Sequence, residues 1–199
     1  MTIKNDAKAS LSLKEESDEC LMARVSNADR EAYAVLVTRH SSAFLALAER
    51  LLSNRLLAED VIQDVFLKIW LYADKFNPDS GKFTSWFYRV VSNKCFDEKR
   101  RKQMVALPDN FEIVDSSINN DKTIEDKDRA KEVARILERL PDRQRLAITL
   151  TYYSDLSNKE AAEAMGVNIK ALESLLSRAR TTMKNNPSAA TLLKLLSSE

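Results

Sequence analysis

Residues 157–180 read SNKEAAEAMGVNIKALESLLSRAR, and this stretch determines the fold expected for the second half of the chain. Ser157 can cap a short helix and can form a capping box with Glu160, three residues later. Gly166 can take the left-handed backbone conformation of a tight turn, and Asn168 can cap the helix that follows. Two helices joined by such a turn predict a helix-turn-helix.

The second of these helices separates an apolar stripe from a polar face. The predicted buried stripe consists of Leu172, Leu175, Leu176, Ala179 and Met183. The opposite face carries Lys170, Ser174, Ser177 and Thr181, with Arg178, Arg180 and Lys184 nearby. An ordinary helical hairpin with solvated polar residues is the alternative. The coincidence of small residues, a turn glycine, a cap and a basic flank favours DNA binding in a major groove.

The composition favours helices along the whole chain. Its 199 residues include only 2 glycines and 4 prolines, and they are rich in Leu, Ala, Glu, Lys and Arg. In the first half, one amphipathic helix is predicted from the i, i+4 line of Leu57, Val61, Val65 and Ile69. Residues 103–128 contain a proline and many Asp, Asn and Ser without sustained periodicity, which is typical of a flexible acidic linker.

We therefore predict an all-α fold with two helical domains joined by that linker. The predicted divisions are a flexible N-terminus at 1–17, a helical bundle at 18–102, the linker at 103–128, a helix-turn-helix domain at 129–186 and a tail at 187–199.

Charge is distributed unevenly, although the formal net charge is only +1. Residues 82–102 carry 7 basic and 2 acidic side chains, whereas residues 103–128 carry 2 and 7. Residues 129–186 carry 11 basic and 7 acidic side chains. Two basic segments separated by an acidic one indicate nucleic-acid contact in two places. For either segment alone, a solvated charged face is the simpler interpretation.

The sequence offers little for enzyme or metal chemistry. Cys20 and Cys95 lack metal-ligand spacing and are expected to be buried, reduced thiols, and His40, the single histidine, is expected on a helix surface. A phosphate-binding glycine loop and a nucleophile arrangement are both missing, so we expect no catalytic residue, metal or cofactor. No apolar run approaches the ~20 residues that span a bilayer. We expect a cytoplasmic protein without direct membrane insertion.

Three stretches of the chain carry a resemblance to a known family. LPDRQRLAITLTYYSDLSNKEAAEAMGV at 140–167, followed by SRAR, resembles region 4 of the sigma-70 family. AEDVIQDVFLKIW at 58–70 and FNPDSGKFTSWFYRVVSNKCFDEKRR at 76–101 resemble its region 2. Regions 2 and 4 joined by a short linker, without a region 3 domain, are similar to the extracytoplasmic-function group. The resemblance implies an alternative sigma factor that binds core RNA polymerase, recognises promoter DNA and promotes strand opening.

The resemblance also implies contacts residue by residue. On the polymerase side, region 4 would meet the β flap, and region 2 would meet the β′ clamp helices through Asp60, Gln63, Asp64, Phe66 and Trp70. The minus-ten element would meet Lys75, Phe76, Asn77, Phe83, Trp86, Arg89, Asn93, Lys94, Asp97, Arg100 and Arg101. The minus-thirty-five element would meet Ser157, Asn158, Asn168, Lys170, Ala171, Glu173, Ser174, Ser177 and Arg178. For Phe66 and Trp70, and for Trp86, core packing is the alternative.

Two residues of the recognition helix, Glu173 and Leu175, depart from the basic residues that many family members have there, so the base preference does not transfer. The family usually also has an anti-sigma factor, which would be a further partner. The main alternative function is a helix-turn-helix regulator that binds operators as a dimer. Such a regulator would bind duplex DNA tightly alone, whereas a sigma factor needs core polymerase to fix the spacing of its two domains.

Overall fold

The computed structural model describes residues 13–105, 132–154 and 156–184. These residues form helices and turns, without a strand among them, so the predicted all-α class is confirmed. The first bundle contains α1 (Asp18–Val25), α2 (Arg30–Leu52), α3 (Arg55–Leu71), two 3-10 turns (Ala73–Lys75 and Pro78–Ser80) and α4 (Phe83–Val105). The second bundle contains the helical residues 132–138 (α5), α6 (Asp142–Tyr153), α7 (Asn158–Met165) and α8 (Ile169–Lys184).

Most of the predicted linker, the tail at 187–199 and most of the predicted N-terminal segment lie outside the described residues. The first three residues assigned to the linker, 103–105, belong to α4. The division into domains otherwise stays a prediction.

Side-chain caps explain where the helices of the first bundle begin. The Asp29 carboxylate accepts hydrogen bonds from the backbone N–H groups of Glu31, at 3.0 Å, and Ala32, at 3.1 Å. The Asn54 side-chain oxygen accepts one from the N–H of Leu57 at 2.9 Å. These bonds satisfy donors that have no partner within the first turn of a helix. Short polar residues thus separate α1, α2 and α3 into distinct helices.

An aromatic cluster holds α4 against α2 and α3. The Phe44 ring centroid of α2 lies 4.0 Å from that of Phe87 on α4, and the Phe66 centroid of α3 lies 5.2 Å from Phe87. Phe83 is also fully buried in this cluster. Buried aromatic side chains contribute large apolar areas, and edge-to-face pairs contribute further. The first turns of α4 are therefore fixed by the core.

Two residues outside the proposed interfaces, Cys20 and His40, differ from the sequence-based expectation. Cys95 is buried and its thiol pKa is raised to about 12 by desolvation, but Cys20 is exposed. His40 is half-buried instead of lying on an open helix surface. Its Nε2 is 2.8 Å from the Asp18 carboxylate, and its ring packs 5.6 Å from that of Phe83. Long-range packing between helices, which the local sequence does not encode, explains both differences.

Candidate polymerase and nucleic-acid interfaces

The exposed face of α3 carries an apolar and acidic stripe. Leu56, Leu67 and Leu71 are 68%, 53% and 58% exposed, and Asp60 and Gln63 are exposed between them. Spacings of three and four residues place all five side chains on one side of the helix. We call this set the α3 stripe.

Phe66 and Trp70 do not belong to the α3 stripe. Phe66 is only 6% exposed and packs in the aromatic core, so its ring is not available to a partner. Trp70 is half-buried, and its ring meets Tyr33 edge-on with centroids 5.1 Å apart. The exposed apolar residues are instead three leucines that sequence reasoning missed. The available signal was the predicted apolar line of Leu57, Val61, Val65 and Ile69, since it places Leu67 and Leu71 on the other side. The last three residues of that line are buried, and Leu57 is half-buried.

Asp64 lies at the edge of α3 and is bound to α4. Its carboxylate is 2.8 Å from the Lys94 ammonium and 3.9 Å from that of Lys68. The hydrogen bond from Lys94 lowers the pKa of the Asp64 carboxyl. Lys94 also lies 3.0 Å from Glu98, which in turn pairs with Arg101 at 2.7 Å. Asp64, predicted to bind polymerase, is thus joined in one network of ion pairs to Lys94 and Arg101, which are predicted to bind the minus-ten element.

The predicted minus-ten residues divide into a packed group and an exposed group. Phe83 is buried, and Trp86 is half-buried, with its ring 5.3 Å from that of Phe76. Lys75 places its ammonium 4.3 Å from the ring centroid of Tyr72. Asn77 caps a 3-10 turn by accepting a hydrogen bond from the backbone of the residue two positions later, at 3.0 Å. All of these residues lie at or before the first turns of α4, where Phe83 and Trp86 are packed and Lys75 and Asn77 are exposed.

The exposed group continues along α4 with Arg89, Asn93, Asp97 and Arg100, at spacings of four, four and three residues. Asp97 and Arg100 form an ion pair with each other. Asn93 presents an amide that can both donate and accept hydrogen bonds. The geometry is a polar row directly beyond a half-buried tryptophan, which suits a strand whose bases are separated from their partners.

The helix-turn-helix forms as the sequence predicts. Ser157 and Glu160 make both bonds of the capping box, with 3.1 Å from the Ser157 N–H to the carboxylate and 3.3 Å from the Glu160 N–H to the hydroxyl. Gly166 has a left-handed backbone with φ of 63°, and the Val167 N–H bonds to the carbonyl of Ala162 at 3.0 Å. This 6→1 bond is the Schellman ending of a helix.

The recognition helix α8 begins at an Asn168 cap, whose side-chain oxygen accepts from the Ala171 N–H at 2.8 Å. The buried side of α8 contains Leu172, Leu176, Ala179 and Met183, with Leu175 partly buried. Of the predicted minus-thirty-five residues, Lys170, Glu173, Ser174, Ser177 and Arg178 are exposed on α8, and Ala171 is half-exposed. The remaining three are also exposed: Asn168 caps α8, and Ser157 and Asn158 lie at the start of α7.

Within the ranges that the structure covers, no group of three or more His, Cys, Asp or Glu is placed to hold a metal ion. Among the helices of those same residues, none has both the length and the apolarity needed to cross a membrane.

Comparisons with known proteins agree with this architecture. The family described as "Sigma-70 region 2" matches residues 36–104, and the one described as "Sigma-70, region 4" matches residues 130–183. The RNA polymerase sigma factor NccH of Alcaligenes xylosoxydans xylosoxydans is 30% identical over 172 residues, covering 83% of this chain and 92% of NccH. The ECF RNA polymerase sigma-E factor of Escherichia coli (strain K12) is 28% identical over 180 residues, covering 85% of this chain and 93% of its own length.

A solved structure of CnrH in complex with the cytosolic domain of CnrY has a TM-score of 0.67 and 27% identity, covering 88% of this chain and 99% of the solved chain. Both matched regions, in this order and over most of the chain, favour a sigma factor over the operator-binding regulator. The chain belongs to the sigma-70 family and, within it, to the extracytoplasmic-function group of alternative sigma factors for transcription initiation.

Proposed function

We propose that three separate surfaces carry the function: the α3 stripe binds the β′ clamp helices of core polymerase, the exposed row of α4 binds the minus-ten strand, and α8 reads the minus-thirty-five element. The exposure of three leucines on the α3 stripe is the observation that carries this proposal. Large apolar side chains aligned on one helix face indicate a protein partner. Asp60 adds a negative charge, which complements a basic partner helix.

The roles proposed for the residues of the minus-ten surface depend on how deeply each side chain is buried. Trp86 and Phe76 are half-buried and pack against the core, whereas Asn93 and Arg100 are exposed. The Arg89 guanidinium donates hydrogen bonds to backbone carbonyls of α7. Cationic side chains attract phosphates without regard to sequence, while an amide such as Asn93 can read a base edge. An exposed base pulled from the duplex loses stacking worth a few kcal/mol, which the half-buried Trp86 and the amide help to offset.

In the second bundle, the side chains of Lys170, Ser174 and Arg178 are exposed on α8. Helix-turn-helix proteins read base edges with the N-terminal part of this helix. We propose the same role here, with a contact to the β flap elsewhere on the second bundle.

Sigma factors are generally non-enzymatic DNA-recognition proteins, and we propose that no residue of this chain is catalytic. We also propose that the protein acts in the cytoplasm, where core polymerase and promoter DNA are found. An anti-sigma factor is a further expected partner, a proposal supported by the solved complex of CnrH with the cytosolic domain of CnrY.

The test is run-off transcription with purified core polymerase on a library of genomic promoters, together with measured affinity for core. Leu67→Asp should weaken core binding by about tenfold or more and reduce specific transcripts equally, because it replaces an exposed apolar contact by a desolvated charge. The matched control is Ala43→Asp, which adds the same charge at an exposed site of α2. Equal core affinity of the two variants would refute the α3 stripe, and no promoter-directed transcript from wild type would refute the proposed function.

A further inference from the structure

Helix α4 begins at a residue that cannot cap it. The carbonyl of Lys82 accepts the first helical hydrogen bond, from the Trp86 N–H at 3.1 Å, so Lys82 occupies the N-cap position. Side-chain caps are oxygens that accept from backbone N–H groups, whereas a lysine ammonium can only donate. The helices α2, α3 and α7 are capped locally, by Asp29, Asn54 and Ser157. An acceptor for the first turn of α4 has to come from elsewhere in the structure.

The acceptor comes from α1, 64 positions earlier in the chain. The Glu19 carboxylate accepts a hydrogen bond from the Phe83 N–H at 3.0 Å, and Glu19 is half-buried at this contact. An N–H group at the start of a helix has no partner within the helix, and the helix dipole favours a negative charge beside it. Glu19 thus caps α4 from another helix.

Neighbouring side chains fix the start of α1 to α2. The Asp18 carboxylate, one residue before Glu19, is 2.8 Å from His40 Nε2 and also forms an ion pair with Arg39. The Arg39 guanidinium donates a further hydrogen bond to the backbone carbonyl of Glu16 at 3.1 Å. Burial raises the pKa of the Asp18 carboxyl, but the hydrogen bonds and charges of His40 and Arg39 together outweigh burial and lower it. The segment that carries Glu19 is therefore held in place by charged side chains.

The capped turn of α4 also carries the aromatic side chains of the proposed minus-ten surface. The Phe83 ring is fully buried, and its centroid lies 5.6 Å from that of His40. On its other contacts, the Phe83 centroid is 5.8 Å from that of Phe76, in the loop before α4, and 5.9 Å from that of Trp86. A shift of the first turn would therefore move Phe83 and displace both Phe76 and Trp86.

We propose that Glu19 is a positioning residue for the minus-ten strand: by capping α4 from α1, it fixes the first turn of α4, and with it Trp86, in the arrangement that the strand binds. The inference rests on the proposed function of α4. Glu19 acts through the backbone of Phe83 and needs no contact with DNA. A surface whose side chains are held in advance loses less conformational freedom on binding, so loss of the cap should weaken strand binding even where the fold survives.

The test compares three variants of the full chain. Glu19→Ala removes the acceptor, whereas Glu19→Gln keeps a side-chain oxygen of the same reach that accepts a hydrogen bond without the charge. Glu15→Ala is the matched control, since it removes the same charge from an exposed residue close to the start of α1. Circular dichroism should show a folded chain in all three, because a single cap is a small part of what stabilises a helical bundle.

The first measurement follows the cap itself, as hydrogen exchange of the Phe83 amide in the free chain, detected by NMR. Exchange should be about tenfold faster in Glu19→Ala than in wild type, because the amide loses its hydrogen-bond acceptor. Glu19→Gln should stay within about threefold of wild type, and Glu15→Ala should match wild type. An unchanged rate in Glu19→Ala would overturn the inference, because the cap would then make no contribution to the start of α4.

The second measurement follows strand binding. Each variant is assembled with purified core polymerase, and its affinity is measured for a single-stranded DNA oligonucleotide with the minus-ten sequence of a promoter found in the run-off assay. Glu19→Ala should weaken this affinity about threefold to tenfold while its affinity for core stays unchanged, and Glu19→Gln should recover most of the loss. Unchanged oligonucleotide affinity in Glu19→Ala, or an equal loss in Glu19→Gln, would overturn the inference. A wild-type holoenzyme without affinity for the oligonucleotide would instead refute the proposed function of α4, and this inference with it.

Discussion

The two proposed DNA-binding surfaces, on α4 and on α8, differ in how many of their polar residues already have partners within the protein. On α4, Lys94 is bound to Asp64 and Glu98, and Arg89 to the carbonyls of α7. On α8, Lys170 and Arg178 lie on an exposed face that points away from the buried stripe of its helix. The difference shows that basic residues predicted for the same kind of partner can be exposed in one bundle and engaged within the protein in the other. The named basic residues of α4 thus have partners within the protein, whereas those of α8 are exposed.

The largest expected effect concerns the base preference of the proposed minus-thirty-five surface on α8. Glu173 is exposed on the first turns of α8, where a carboxylate can accept a hydrogen bond from cytosine N4. Glu173→Gln should relax the preference at one minus-thirty-five base pair by ~1 to 3 kcal/mol, as measured by promoter selection at several salt concentrations. A uniform gain in affinity for all sequences would show that the carboxylate only repels phosphates.

A slightly smaller effect is expected at Gly166, in the turn between α7 and α8, which lies beside the Arg89 guanidinium of α4. Gly166→Ala should destabilise the second bundle by about 1 to 2 kcal/mol, because a residue with a Cβ is strained at φ of 63°. The added Cβ would be in ordinary van der Waals contact with Arg89, so strain and not collision is the cause. Chemical denaturation monitored by circular dichroism measures the change. An unchanged midpoint would show that the turn relaxes to another conformation.

The capping box should contribute about as much as a typical N-cap. Ser157→Ala removes a hydroxyl that binds both the Glu160 backbone and its carboxylate, and it should cost ~1 kcal/mol of stability. Ser157→Asp, which keeps an acceptor at the cap, is the control and should lose much less. Equal losses of stability in the two variants would show that the loss does not come from the missing hydrogen-bond acceptor at the cap.

These local features could be predicted from sequence because they depend on neighbouring residues. Ser157, Gly166 and Asn168 act within three or four positions of their own place in the chain, and the structure confirms the helix-turn-helix that they predict. Burial of the apolar stripe of α8 follows in the same way from helical periodicity.

Features that depend on how helices pack could not be predicted in the same way. Phe66 and Trp70 lie near the polar edge of α3 in sequence, but α4 and α2 approach on that side and cover them. The contact between Arg89 and α7 joins residues more than seventy positions apart, and no local pattern encodes it. The exposed leucines of the α3 stripe were accessible from periodicity, once the buried line of the helix was identified.

The smallest expected effect on stability is at the ion pair that restrains α4 inside its own bundle. Asp64→Asn should cost about 0.5 kcal/mol, because the pair with Lys94 is partly exposed and screened by solvent. Thermal denaturation at low and high salt checks this, since the difference from wild type should shrink as salt increases. A loss of several kcal/mol would mean that the pair is a structural support of the bundle.

The contact between α4 and the second bundle, in which the Lys82 ammonium lies 2.7 Å from the Glu160 carboxylate, is tested most directly by the pKa of the Glu160 carboxyl, measured by NMR in the free full chain. The ion pair with Lys82, followed by the bonds to Ser157, lowers that pKa from 4.5 to about 2. Because the pKa is lower in the folded state, the contact stabilises the docked chain above pH 4.5, and its contribution is lost as the pH falls towards 2. We predict a pKa near 2 in wild type and a clear rise towards 4.5 in Lys82→Met, whereas an identical pKa in the two proteins would contradict docking of the bundles.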